Sequence, residues 1–449
     1  MFEPTFESLR ERVLPEWFDD AKFGIFVHWY PAAVPAFAPL SDDLFVQTRE
    51  KGEFTAFSES PYAEWYVNSL AIPGSSVQRH HRERYGDKPY DEFVDEFFVF
   101  ADSWDPHEWS DLFSASGARY SILGTRHIDG ALLWPSVLTN PFKGSRYSSK
   151  RDLVGEAVDA VRGAGLRTGL YYCGGLDLTF QGLGYAGWGQ MLAATPQTEE
   201  YHDYVSGHFH ELIDRYAPDV LWNDVGYPGG SANAHRLLCD YYRVNPDGVV
   251  NDRFDLLGVM TGTAHCDFVT PEYSSGSIVA SKKFETCRGI GNSFGYNQLD
   301  DDSTSASLTE LVRLMVNIVA DGGNLLLNVG PMASGRIPFV QRQRLLGIGQ
   351  WLSVNGEAVY GSRPHEISRL NTTDGVAVRL VRKGGDTFAF VLGRPNSRDL
   401  IIDGLPDGEV FLLGNIGPLQ RSGSMVQLPT RPDDGPGFVL RLTPNSAAH

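Results

Sequence analysis

Two carboxylates close apolar runs in the middle of this 449-residue chain. In Pro218-Asp219-Val220-Leu221-Trp222-Asn223-Asp224 a strand-like stretch stops at an acid followed by Val225-Gly226, and Glu272 closes the stretch that begins at Cys266. A pair of acids suits glycoside hydrolysis, in which one carboxylate attacks the sugar or activates water and the other protonates the departing oxygen. Other polar residues stand at comparable places: His28, His127, Tyr171 with Tyr172, and Arg253 each fall at or just after the end of an apolar run. Singly, each reads as a hydrogen-bonded loop residue; together they suggest one site. Trp29, Trp65, Trp134, Trp222 and Phe294 are aromatics that could face the apolar side of a sugar ring or simply pack in a core.

A metal centre would compete for the same residues, but no H-E-x-x-H or similar ligand set is present. His80-His81 lies within Arg79-His80-His81-Arg82-Glu83-Arg84 and reads as a solvated charged loop. Gly174-Gly175 after a strand is too short for a phosphate-binding loop. The expectation is chemistry without a metal or organic cofactor.

The elements that must position these residues alternate. Strand candidates are Phe23 to Trp29, Tyr120 to Thr125, Arg167 to Cys173, Pro218 to Asp224, Gly248 to Asp252, Cys266 to Glu272 and Asn324 to Gly330. Helical stretches lie between them. Val154, Ala157, Val158 and Val161 keep helical spacing within Leu153 to Gly163, and Ser307-Leu308-Thr309-Glu310 is a capping box opening a helix to Ala320. This βα grammar predicts a (β/α)8-like TIM barrel over residues 1–355, whose strand ends would gather the polar residues at one mouth. One strand is not visible and residues 31–110 are long and mixed, so the barrel is expected to be irregular. After a helix around Leu345 to Leu352, short alternating runs take over: Val376 to Val381, Thr387 to Leu392, Leu400 to Ile402, Val410 to Leu413 and Phe438 to Leu442. They predict an antiparallel β-sandwich over residues 356–449.

A net charge of -18 and a pI near 5.1 argue against nucleic acid or an anionic membrane as partner. Homo-oligomerisation stays open. The opening residues, Met1-Phe2-Glu3-Pro4-Thr5-Phe6-Glu7, carry acids where a signal peptide needs a basic segment and an apolar core, so a cytoplasmic protein is expected. Cys173, Cys239, Cys266 and Cys287 show no C-x-x-C pairing and read as reduced thiols.

The stretch Trp17-Phe18-Asp19-Asp20-Ala21-Lys22-Phe23-Gly24-Ile25-Phe26-Val27-His28-Trp29 resembles the opening signature of the α-L-fucosidases of glycoside hydrolase family 29. Further segments resemble that family in order. They include Glu64-Trp65-Tyr66, Arg126-His127-Ile128-Asp129-Gly130, Leu221-Trp222-Asn223-Asp224, Asn251-Asp252-Arg253, Thr270-Pro271-Glu272-Tyr273, Glu285-Thr286-Cys287-Arg288-Gly289 and Ser293-Phe294-Gly295-Tyr296-Asn297. The resemblance implies a retaining exo-glycosidase acting on fucosylated oligosaccharides or glycoconjugates, with Asp224 as nucleophile and Glu272 as acid/base. Glu64 is the rival acid/base. By the same resemblance His28 and His127 contact the sugar, Tyr171 and Trp222 flank the nucleophile, and Arg253 and Phe294 line the pocket; Trp29 and Trp65 are further candidates. The acid should be partly desolvated with a raised pKa, and retention requires carboxyl groups about 5 to 5.5 Å apart.

Two departures stand out. Ile128 occupies a position where the family usually has a second histidine, and Leu178 one where an aromatic often follows Gly-Leu-Asp. An apolar residue cannot read a ring hydroxyl. A sugar stereochemically related to fucose, or a silent sugar-binding relative, therefore remains open as an alternative.

Overall fold

The computed structural model describes residues 2–182, 184–274 and 282–444. Seven strands form one parallel sheet: β1 (Phe23–Val27), β2 (Tyr120–Arg126), β3 (Arg167–Cys173), β4 (Val220–Asp224), β5 (Val249–Val250), β6 (Glu285–Gly289) and β7 (Asn324–Val329). Their order is β5-β4-β3-β2-β1-β7-β6. Every residue of β1, β2 and β7 is buried, as strands covered on both faces require.

The gap between β5 and β6 is filled by irregular chain. The N–H groups of Asp267 and Phe268 donate to the Val250 carbonyl at 3.0 and 3.4 Å. Val269 and Glu272 make isolated parallel bridges to Phe284 and Cys287. The expected strand Cys266 to Glu272 is thus corrected to two bridges. Pro271 has no N–H to give, and the Asp267 carboxylate, not a carbonyl, accepts the Val250 N–H at 2.8 Å. β6 was not among the strand candidates; its five residues include Glu285 and Arg288, which mask its buried character.

Helices cover the outside. Leu153–Gly163 and Leu308–Ala320 form over the expected spans, the second with Ser307 and Glu310 completing the capping box. The stretch from 31 to 110 is mostly helical, including Ser76–Tyr85, Tyr90–Ala101 and Pro106–Ala115. His80-His81 is accordingly on a helix, not in a solvated loop. His81 is buried between the Tyr66 hydroxyl and the Lys88 carbonyl, at 2.9 and 2.8 Å, while His80 stacks on Phe37.

The helix Phe339–Val359 leads into antiparallel strands β8 (Arg363–Asn371), β9 (Ala377–Lys383), β10 (Asp386–Val391), β11 (Asp399–Ile401), β12 (Glu409–Leu412), β13 (Gln420–Ser422), β14 (Met425–Gln427) and β15 (Phe438–Thr443). They make a five-stranded sheet, β12-β15-β10-β9-β8, and a three-stranded sheet, β11-β14-β13. Val378, Leu380, Ala389, Leu400, Val426 and Leu440 share the core of this β domain. Trp351, on the long helix, donates its indole N–H to the Gly437 carbonyl at 2.9 Å and stacks near Phe390. That pins the β domain to the barrel's last helix.

Candidate active site

Asp224 is the last residue of β4, and three donors hold its carboxylate. Arg253 Nη1 and the Val225 N–H each reach Oδ1 at 2.9 Å, and the Tyr171 hydroxyl reaches Oδ2 at 2.9 Å. These contacts fix the orientation of the carboxylate. Val225 itself sits at φ +59°, a left-handed conformation that a β-branched residue adopts only under constraint. Gly175 supplies part of that constraint: a Cβ there would lie 2.0 Å from the Val225 carbonyl oxygen. Buried Asn223 supplies more, donating to the carbonyls of Gly226 and Arg253 at 2.8 Å each.

Arg253 stands on a short 3-10 turn, Asp252–Phe254, and spreads over both acids. Its Nη2 lies 2.5 Å from Glu272 Oε1, while Nε donates to Thr270 Oγ1 at 2.9 Å. The guanidinium carbon is 4.7 Å from the centre of the Trp222 ring, a cation–π contact. Burial works against its charge, but Glu272 and Asp224 outweigh burial and raise its pKa well above the ordinary value. The residue after Glu272, Tyr273, is also left-handed, at φ +48°. Both acids are therefore followed by a strained residue.

Glu64 approaches from the short helix Ala63–Trp65 and is buried. Burial pushes its pKa up to about 7, against the opposing pull of the Gly295 N–H at 2.7 Å and the Ser293 hydroxyl at 3.3 Å. His28 contacts Asn328 Oδ1 through Nδ1 at 2.7 Å, and burial lowers its pKa to about 4. His127 is likewise driven well below its ordinary value by burial, with His28 adding to the effect. Both imidazoles are neutral near pH 7. His127 stacks between Tyr30 and Tyr171 with centroids 4.9 and 6.0 Å away, and its Nδ1 has no partner among the described residues. Phe294 lies 5.1 Å from His28, and Trp65 meets His127 edge-on at 6.4 Å.

Of the candidates, Asp224, Glu272, Glu64, His28, His127, Tyr171, Trp222, Arg253, Phe294 and Trp65 gather in one region. Trp29 does not. Period-two alternation turns Phe26 and His28 inward and Val27 and Trp29 outward. Trp29 is 0% exposed, packs among Phe97, Trp104 and Trp109, and donates to the Met332 carbonyl at 2.8 Å. Trp134 is equally buried, its N–H donating to Glu211 at 2.7 Å. Ile128 shares an apolar cluster with Leu176, Leu178 and Met191, and the Leu178 N–H donates to the Ile128 carbonyl at 2.8 Å. The two departures are thus one packed unit.

Two supporting residues were not anticipated. Asn328 links His28 to the Phe294 carbonyl, to which its amide donates at 2.6 Å; the signal available was an Asn inside the otherwise apolar run of β7. Glu285, fully buried, accepts from the Tyr120 hydroxyl at 2.5 Å and the Trp222 N–H at 3.2 Å, and burial pushes its pKa up to about 7. It stands at the start of its strand, not at the carboxyl end where polar residues mark the mouth of a parallel barrel.

The class this defines is glycoside hydrolase, since two acids that share one guanidinium at the strand ends of a parallel barrel can deliver a nucleophile and a proton to the same bond. The chain belongs to the alpha-L-fucosidase family, whose profile matches residues 1–357. Along its length it is similar to the alpha-L-fucosidase of Dictyostelium discoideum, 32% identical over 98% of this chain and 91% of that protein. It is also similar to the crystal structure of Thermotoga maritima alpha-fucosidase with a mechanism-based inhibitor, 39% identical over 99% of this chain and 100% of that one, with a TM-score of 0.87. The fucose complex of that Thermotoga enzyme gives 39% identity, coverage of 99% and 100%, and a TM-score of 0.86. Barrel and β domain are common to both.

Proposed function

We propose that this protein hydrolyses terminal α-L-fucosyl residues with retention, through a covalent ester on Asp224, with Glu272 as acid/base. The observation that carries the assignment is the shared guanidinium. Arg253 reaches both carboxylates and so holds them on one site, and Asp224 is fixed further by Tyr171 and the Val225 N–H, which suits it to attack while Glu272 serves the departing oxygen. Asp224 then attacks the anomeric carbon as Glu272 protonates the departing oxygen, and Glu272 next takes a proton from the water that cleaves the ester.

Glu64 fits a different task. Its Oε2 is engaged by Gly295 and Ser293, which favours holding a substrate hydroxyl over delivering a proton to the leaving group. Neutral His28 and His127 are suited to the same work, each with one ring nitrogen able to donate and the other to accept. Fucose is the sugar favoured by the family's named activity and by the fucose bound to the Thermotoga relative.

A second reading, a sugar related to fucose, is favoured by the apolar Ile128–Leu178 unit. A panel of aryl glycosides separates the two: turnover of the α-L-fucoside above all others is expected, and preference for another glycoside would overturn it. Within fucosides, Glu272→Ala should lower kcat/KM by about 10²–10⁴ on substrates with poor leaving groups, and far less on activated aryl fucosides. Equal losses on both would move the acid/base role to Glu64.

A further inference from the structure

The site continues outward along a row of aromatic rings that the chemistry at Asp224 does not use. Phe57 lies 6.3 Å from Trp65, Trp188 lies 5.3 Å from Phe57, and Phe45 lies 5.2 Å from Trp188 with ring planes only 13° apart. Phe57 is the buried member, and exposure rises from it through Trp188 to Phe45. Trp65 and Trp188 are half-buried, and Phe45 is 44% exposed. The Trp188 N–H donates to Thr48 Oγ1 at 3.2 Å, tying its helix, Trp188–Leu192, to the helix Leu44–Lys51 that carries Phe45. Leu192, one turn on from Trp188 and 59% exposed, extends the apolar surface.

Uncovered apolar surface joined to a pocket marks a place where a ligand sits. Buried Phe57 joins Trp65 and Trp188 in one apolar cluster with Phe294 of the pocket, and Trp65 stands beside His127, so an occupant of the exposed rings has its other end in the pocket. We propose that Phe45 and Trp188 form an outer subsite for the aglycone of a fucosylated oligosaccharide, binding sugar units beyond the one next to the cleaved bond. The apolar faces of those sugars lie over the rings while their hydroxyls remain in water. A monosaccharide aglycone stops at Trp65; a longer chain reaches Phe45. The subsite rests on the fucosidase reading and names the substrate class within it.

The test compares wild type, Phe45→Ala and Phe45→Tyr on two substrates: α-L-fucosyl fluoride, which has no aglycone ring, and a tetrasaccharide capped by an α-L-fucosyl residue. For Phe45→Ala the KM for the tetrasaccharide should rise about 3- to 10-fold, the share of one ring contact, while kcat/KM for the fluoride stays within about twofold of wild type by the same arithmetic. Phe45→Tyr keeps the ring and should restore the tetrasaccharide KM. An unchanged tetrasaccharide KM in Phe45→Ala, or an equal loss on the fluoride, overturns the subsite and leaves the fucosidase reading standing. A wild type that cleaves neither substrate overturns that reading and the subsite with it.

Discussion

Arg253 is the residue on which the charges of the site depend. It holds Asp224 at 2.9 Å and Glu272 at 2.5 Å, lies over Trp222, and is anchored by Thr270. A lysine keeps the charge but has no planar fork with which to reach two acids while bonding Thr270. Arg253→Lys should therefore lower kcat by about 10²–10³, the scale of losing one preorganised charge contact, with a folded protein and a smaller change in KM. Steady-state kinetics check this, and a kcat within threefold of wild type would refute the shared-guanidinium account. Asp224 and Arg253 were legible in the sequence because each interrupts or follows an apolar run. Trp29 was misread because adjacency to His28 says nothing about facing, and alternation along the strand sends the two side chains to opposite sides.

At the scale of elements, the turn after β4 is the feature that aims the nucleophile. The Val225 N–H donates to Asp224 Oδ1, and Val225, at φ +59°, turns the chain sharply beyond it, with Gly175 and Asn223 holding the turn. Val225→Gly frees that turn. Val225 is only half-buried, so losing its side chain costs less than the roughly 1.5–3 kcal/mol of a fully buried one and is offset by relief of left-handed strain, about 1–3 kcal/mol; the thermal midpoint should hardly move while kcat falls at least about tenfold, or about 1.4 kcal/mol. Calorimetry and kinetics on the same sample decide it; a large fall in Tm with intact kcat would mean that Val225 serves only packing. The alternating elements of the barrel were readable from apolar runs and helical spacing, as Leu153–Gly163 and Leu308–Ala320 illustrate. The closing segment 266–272 was not, because Pro271 and the Asp267 side chain replace ladder bonds that a run of apolar letters would suggest. β8 escaped for another reason: its Arg, His, Glu and Ser residues hide the period-two signal.

For the whole molecule, buried acids make stability fall as pH rises. Glu64 and Glu285 each have a folded-state pKa of about 7, above the ordinary 4.5, because burial disfavours their charged forms. The stability they lend is full below about pH 4.5 and is lost as pH climbs through 7. His28, lowered to about 4, acts oppositely, its share being present above pH 6.5 and lost as pH falls toward 4. Glu285→Gln removes one titration; its amide oxygen can accept from the Trp222 N–H while its NH2 donates to the Tyr120 hydroxyl oxygen, so its Tm should decline less than that of wild type between pH 5 and 7.5. Parallel Tm–pH curves would show that the Glu285 pKa is not raised by folding. The central claim, a sugar ester on Asp224, is tested most directly by incubating the protein with 2-deoxy-2-fluoro-fucosyl fluoride and locating the adduct by peptide mass spectrometry. The account predicts one fluorofucosyl group per chain, on Asp224; an adduct on Glu272 or Glu64, or none at full consumption of the reagent, would contradict it.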